Sequence, residues 1–138
     1  MSKKRGKRYN FTFAILCVSL LSSCTTKNGQ RLLVYKINND YFRLDKKCVE
    51  RLYLRENRPI FYVNDNIMME LDNKKECVQQ FSNFINSNIG EKIHTSFNGY
   101  YIVPATKIVS AMYFDSGVFS QAVTKKDVAL EIVKAYAK

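Results

Sequence analysis

Apolar residues along this chain change their spacing several times, and each change predicts an element. Arg31–Tyr35, RLLVY, is an apolar run bounded by polar residues and predicts an opening strand. Asn38-Asn39-Asp40 follows with turn or helix-start chemistry. From Tyr41 to Leu54 the apolar positions Phe42, Leu44, Cys48, Val49, Leu52 and Tyr53 recur closer to a period of 3.6 than of 2. That spacing predicts a helix, ended by Asn57-Arg58-Pro59. Two short runs, Ile60–Val63 and Ile67–Leu71, flank the turn-forming Asn64-Asp65-Asn66. They predict a hairpin, or one strand preceded by an extended segment.

Asp72 or Asn73 offers an N-cap to a second helix, whose stripe is Cys77, Val78, Phe81, Phe84 and Ile85. Asn86, Asn88 and Gly90 close it. A type I′ turn at Asn98-Gly99 would set Phe97 opposite Tyr100, Thr95 opposite Ile102 and Ile93 opposite Pro104. In that register Ile93, Thr95, Phe97, Tyr100 and Ile102 share a buried face. His94 and Ser96 turn to the other side, next to Lys92 and Tyr101. Ile108–Phe114 and Val118–Val123 predict further strands around Asp115-Ser116-Gly117. Thr124 to Asp127 resembles a capping box, and Val128, Ala129, Ile132, Val133 and Tyr136 line one face of a closing helix. The expected class is α+β, two-layered, with a mostly antiparallel sheet and helices packed on one face.

The N-terminus changes this picture. Lys3, Lys4, Arg5, Lys7 and Arg8 precede the apolar run Phe11–Leu21 and the small residues up to Cys24, the layout of a secretory signal peptide. The run has 11 residues, against the roughly 20 of a spanning helix. Leu21-Ser22-Ser23-Cys24 resembles the lipobox of bacterial lipoproteins, in which the Cys24 thiol takes a diacylglycerol and the chain is cut just before it. An ordinary cleaved signal with an incidental cysteine is the alternative. The chain then divides into a signal peptide (1–23), a lipidated tether (24–30) and one domain (31–138). Thr25 stands where the inner-membrane retention signal of enterobacteria would place Asp, so the resemblance implies the outer membrane, facing the periplasm, in a Gram-negative host.

The precursor carries a formal charge of +10. Residues 1–23 hold five of its 22 Lys+Arg and none of its 12 Asp+Glu, so the remainder carries +5. The N-terminal basic cluster thus reads as the cytoplasmic side of an export signal rather than as a nucleic-acid patch. The pairs Lys46-Lys47, Lys74-Lys75 and Lys125-Lys126 read as solvated faces, with attraction to acidic lipid or polypeptide as the minority alternative. Of four cysteines, Cys17 falls in the signal and Cys24 in the lipobox. Cys48 and Cys77 remain, and in an exported chain they are expected to form a disulfide. Two buried free thiols are the alternative. One histidine and no C-x-x-C leave little basis for a metal site, and no cofactor is expected.

From Ile67 to Tyr136 the order of elements resembles the head subdomain of the first periplasmic domain of the SecD/SecDF family. Asn88-Ile89-Gly90, Asn98-Gly99, Pro104, Gly117 and Thr124 stand at matching points. Ser116-Gly117 replaces the family's paired glycine, and the glycine before its final Phe-Thr is lost within Phe119-Ser120-Gln121-Ala122. The membrane helices that couple proton flow to export have no counterpart. The resemblance therefore implies a fold and a polypeptide-contacting surface, without motor activity. The function expected is a non-catalytic, lipid-anchored accessory protein contacting an extracytoplasmic polypeptide or envelope complex, with no nucleic-acid partner and no evident small-molecule substrate. Two alternatives remain: a plasmid- or phage-type exclusion or protective lipoprotein, and a small envelope enzyme using Asp65, Glu70, Asp72 or His94 as acid/base groups.

Overall fold

The structure is a computed structural model and describes residues 31–55, 65–72, 76–113 and 115–138. The signal peptide, Cys24, the tether, the Asn57-Arg58-Pro59 break, the Ile60–Val63 run, Asn64, Asn73 and Phe114 lie outside the described residues. The opening strand β1 is Leu33–Ile37, with Leu33, Tyr35 and Ile37 buried and Lys36 outward. It runs two residues beyond the apolar run because alternation, rather than continuous apolarity, marks a strand with one wet face. Asn38, at φ 51°, makes the turn into β2, Asp40–Arg43.

The helix expected over 41–54 is not formed. β2 pairs antiparallel with β1, a 3₁₀ turn spans Lys46–Cys48, and Val49–Leu54 is strand β3. The helical look of the spacing has an identifiable source. The register of β3 against β4 (Asp65–Leu71) slips between Val49 and Arg51, so Glu50 and Arg51 both face outward. Val49 and Leu52 then point inward three residues apart, which is a helical interval produced by a bulge. The turn expected at Asn64-Asp65-Asn66 is also corrected, since Asp65 and Asn66 are strand residues paired with Val123 and Ala122.

Helix α1, Cys77–Asn86, carries the expected stripe, with Cys77, Phe81 and Ile85 buried. It begins at Glu76 with no side-chain cap, so Asp72 is not the N-cap. Asp72 instead donates its backbone N–H to the Cys48 carbonyl at 2.9 Å. The Cys48–Cys77 disulfide, with Cα atoms 5.6 Å apart, fixes the helix start against the end of the 3₁₀ turn. A bridge closing a loop of this size contributes roughly 3–4 kcal/mol in the chain-entropy model. At the other end the Asn88 side chain donates to the Phe84 carbonyl, and Gly90 takes φ 95°.

β5 (Lys92–Phe97) pairs with β1 on one side and with the short β6 (Tyr100–Tyr101) and β7 (Thr106–Lys107) on the other. Asn98 and Gly99 both have positive φ, 52° and 81°, as a type I′ turn requires. Phe97 faces Tyr100, and Ile102 donates to the Thr95 carbonyl, both as expected. Ile93, however, pairs with Thr106 rather than Pro104. Proline has no N–H to give the ladder, and the chain leaves it there by two residues. Tyr100, expected in the buried face, is 78% exposed. It stands on β6, the outermost strand of its sheet, one strand beyond its buried partner Phe97.

Residues 108–113 do not form the expected strand. The Asn86 side chain takes the place of a ladder partner: its Oδ1 accepts from Met112 N–H and its Nδ2 donates to Met112 C=O. After Gly117 at φ 67°, β8 (Val118–Val123) pairs with β4. Helix α2 is Lys126–Tyr136, with Ala129, Ile132 and Tyr136 buried. Thr124 does not cap it; its N–H and hydroxyl both donate to the Ile102 carbonyl, at 2.8 and 2.7 Å.

The α+β class is the one expected, with the antiparallel strands divided into β2-β1-β5-β6/β7 and β3-β4-β8. The inner faces of both sheets join one core with both helices. Phe81 of α1 packs against Tyr35, Phe42 and Phe119 with ring centroids 4.9–5.1 Å apart, linking the two sheets. α2 lies on the β3-β4-β8 sheet.

Candidate functional site

Alternation along four strands builds the outer face of the first sheet. β1 supplies Val34 and Lys36, β2 Tyr41 and Arg43, β5 Lys92, His94 and Ser96, and β6 Tyr101, while Lys107 of β7 stands directly opposite Lys92. Register sets them in rows. Lys36 lies between Tyr41 and His94, and Val34 between Arg43 and Ser96, with Tyr101 beyond Ser96. The Arg43 guanidinium sits 5.0 Å over the Tyr41 ring, and the rings of His94 and Tyr101 are 5.4 Å apart.

Two open depressions, of about 510 and 370 Å³, lie on this face and share Lys36 and Tyr101. Lys92, His94 and Lys107 line the first, and Tyr41 and Arg43 the second. Glu91 is the carboxylate among the lining residues. None of Lys36, Arg43, Lys92 and Lys107 has an ion-pair partner among the described residues. The combination of unneutralised cations and exposed aromatic rings on a shallow surface suits an extended anionic partner.

Around the edge of the same hairpin is a third hollow, of about 470 Å³, between β6 and the start of α2. Phe97, Tyr100, Ile102 and Val128 line it with apolar surface, and Thr124, Lys125 and Glu131 bring polar groups to it. The double hydrogen bond from Thr124 to Ile102 holds its two sides together.

The acid/base candidates are dispersed. Asp65 is buried on the inner side of β4, whereas Glu70, five residues on, lies on the outer side. Glu70 accepts from Arg51 Nε and Nη2 at 3.0 and 2.6 Å, and Arg51 also lies 4.8 Å over the Tyr53 ring. The hydrogen bonds and charge of Arg51 hold the Glu70 carboxyl below the ordinary glutamate range. Asp72 follows β4 beside Cys48, and His94 belongs to the other sheet. No cluster of three or more His, Cys, Asp or Glu suited to a metal ion occurs among the described residues.

Of the residues singled out from sequence, Cys48 and Cys77 are brought together as a disulfide. His94 is on the outer face, as the hairpin register implied, and half-buried there against Tyr101. Sequence reasoning missed Lys36, Arg43 and Lys107 as members of one surface. The available signal was parity: Lys36 occupies the outward position of an alternating strand, as Lys92 and His94 do in β5. The adjacent pairs Lys46-Lys47 and Lys125-Lys126 fall instead in the 3₁₀ turn and at the start of α2, away from this face.

No helix among the described residues is long and apolar enough to cross a membrane. Compared with models of known families, with curated proteins and with solved structures, the chain finds no match.

Proposed function

We propose that this chain is a lipid-anchored accessory protein of the cell envelope, which binds an extracytoplasmic polypeptide or envelope complex and catalyses no reaction. The observation that carries the binding reading is the hollow between β6 and α2, lined by Ile102, Val128 and a Tyr100 that is 78% exposed. An exposed tyrosine beside a small apolar hollow with a polar rim is the kind of surface that anchors one side chain of a partner. The lipobox ending at Cys24 supports attachment to the membrane, and the Cys48–Cys77 bridge suits an oxidising compartment. The resemblance to the SecD head belongs to the same proposal: the hollow borders the Asn98-Gly99 hairpin that carries part of it.

A photo-crosslinking residue in place of Tyr100, activated in living cells, tests the binding reading. Discrete adducts with an envelope polypeptide are expected; adducts with lipid alone, or none, would reject it. Palmitate labelling tests the anchor separately. Cys24→Ser should abolish both labelling and membrane retention, and persistence of either defeats the lipobox assignment.

A further inference from the structure

We infer that the outer face of the first sheet seats the domain on the anionic headgroups of the bilayer that holds its anchor. The inference rests on the membrane attachment proposed above, and it assigns a ligand class to a surface separate from the Tyr100 hollow. Four exposed cations, Lys36, Arg43, Lys92 and Lys107, lie on this face with no ion-pair partner among the described residues. Lys92 and Lys107 are direct cross-strand partners, an arrangement of like charges that opposes pairing unless an anion lies over it. The surface is broad and shallow, as a plane of headgroups requires.

Tyr41 and Tyr101 add a second criterion, being 58% and 68% exposed on the same face. Tyrosine combines an apolar ring with a polar tip and is favoured at the level of lipid headgroups. Reach is the third. Eight residues lie between Cys24 and Leu33, nine chain steps that span at most about 30 Å when fully extended. Lys36 follows only three residues later, so the cationic face is confined near the surface of any membrane to which Cys24 is joined. A basic surface held there is attracted within a Debye length of acidic lipid. A soluble acidic polypeptide would satisfy the charges, but so short a tether keeps this face beside the headgroups whether or not such a partner is present.

The test uses the chain isolated from membranes with its disulfide formed, placed on vesicles of phosphatidylcholine alone or of phosphatidylcholine mixed with phosphatidylglycerol. A water-soluble amine-acylating reagent is applied and each lysine is read by mass spectrometry. Phosphatidylglycerol should slow acylation of Lys36, Lys92 and Lys107 several-fold and leave Lys126 and Lys134 of α2 unchanged, and high salt should remove the difference. K36E/R43E, checked for an unchanged unfolding midpoint, should lose the protection at Lys92 and Lys107. Equal acylation on both vesicles, or equal protection of the α2 lysines, overturns the inference. So does protection by soluble polyglutamate where phosphatidylglycerol gives none, which would assign the face to an acidic polypeptide. Failure of the anchor is seen separately, as release from the neutral vesicles. A released chain that still floats with phosphatidylglycerol supports the seating, and one that floats with neither overturns it.

Discussion

The Tyr136 hydroxyl is inserted between Leu33 and the Leu44 carbonyl, replacing one rung of the β1–β2 ladder. Leu44 N–H donates directly to Leu33 C=O at 2.9 Å, but Leu33 N–H donates to the Tyr136 oxygen at 2.9 Å, which donates onward to Leu44 C=O at 2.7 Å. The last turn of α2, which packs on the second sheet, is thereby locked to the first. Tyr136→Phe should leave a buried donor and acceptor without their bridge and cost roughly 2–4 kcal/mol. Urea unfolding measures it, and a loss under about 1 kcal/mol would mean that the strands close the gap unaided.

Tyr35 presents the opposite case. Its hydroxyl is buried with no hydrogen-bond partner among the described residues. Burial, with a smaller contribution from Tyr136, raises its pKa well above the ordinary tyrosine value of 10.0. Tyr35→Phe should therefore be neutral or stabilising by on the order of 1 kcal/mol at neutral pH. The sign in alkali follows from the raised pKa. Below about pH 10 the tyrosine is neutral in both states, whereas above it the unfolded chain releases a proton that the folded one retains. Stability then falls by up to about 1.4 kcal/mol per pH unit for this residue. Alkaline unfolding curves should be shallower for the phenylalanine variant, and parallel curves would count against this placement of the hydroxyl.

The disulfide joins the 3₁₀ turn before β3 to the first residue of an α1 that has no side-chain cap. Replacing both cysteines by alanine should lower stability by roughly 3–4 kcal/mol. Amide exchange should rise first in α1 and at Asp72, whose N–H depends on the Cys48 carbonyl. Uniform loosening of the whole domain would show that the bridge acts through the unfolded chain alone.

What could be read from the sequence was the geometry that repeats without interruption. α1 and α2 keep a 3.6-residue stripe from end to end, and Asn98-Gly99 imposes its own register. In β3 one bulge converts an alternating pattern into a helical interval between Val49 and Leu52, so the spacing there points to the wrong element. Residues 108–113 depart from the expected strand for another reason. Their apolar content suits a strand, but the Asn86 amide satisfies Met112 from a helix, and no local pattern announces that. Parity marks Lys36 and Lys92 as outward within their own strands, but the cationic face as a whole is not legible, because Lys36, Arg43, Lys92 and Lys107 come from four strands and meet only once the pairing is known.

Arg51 and Glu70 are cross-strand partners on the outer face of the second sheet, joined by two hydrogen bonds. The Arg51 hydrogen bonds hold Glu70 below the ordinary glutamate value of 4.5. A depressed carboxylate contributes stability above its unfolded pKa and loses it as pH falls through the lower folded one. Wild type should therefore be more stable than Glu70→Gln at neutral pH, and the gap should narrow below about pH 4.5 as the carboxylate is neutralised. Because the pair is on the surface, salt should narrow the same gap at neutral pH. Urea midpoints of the two proteins across the acid range check this. A constant difference at every pH would mean that the glutamine amide replaces the ion pair fully, and that the bidentate geometry orders β3 against β4 without help from charge.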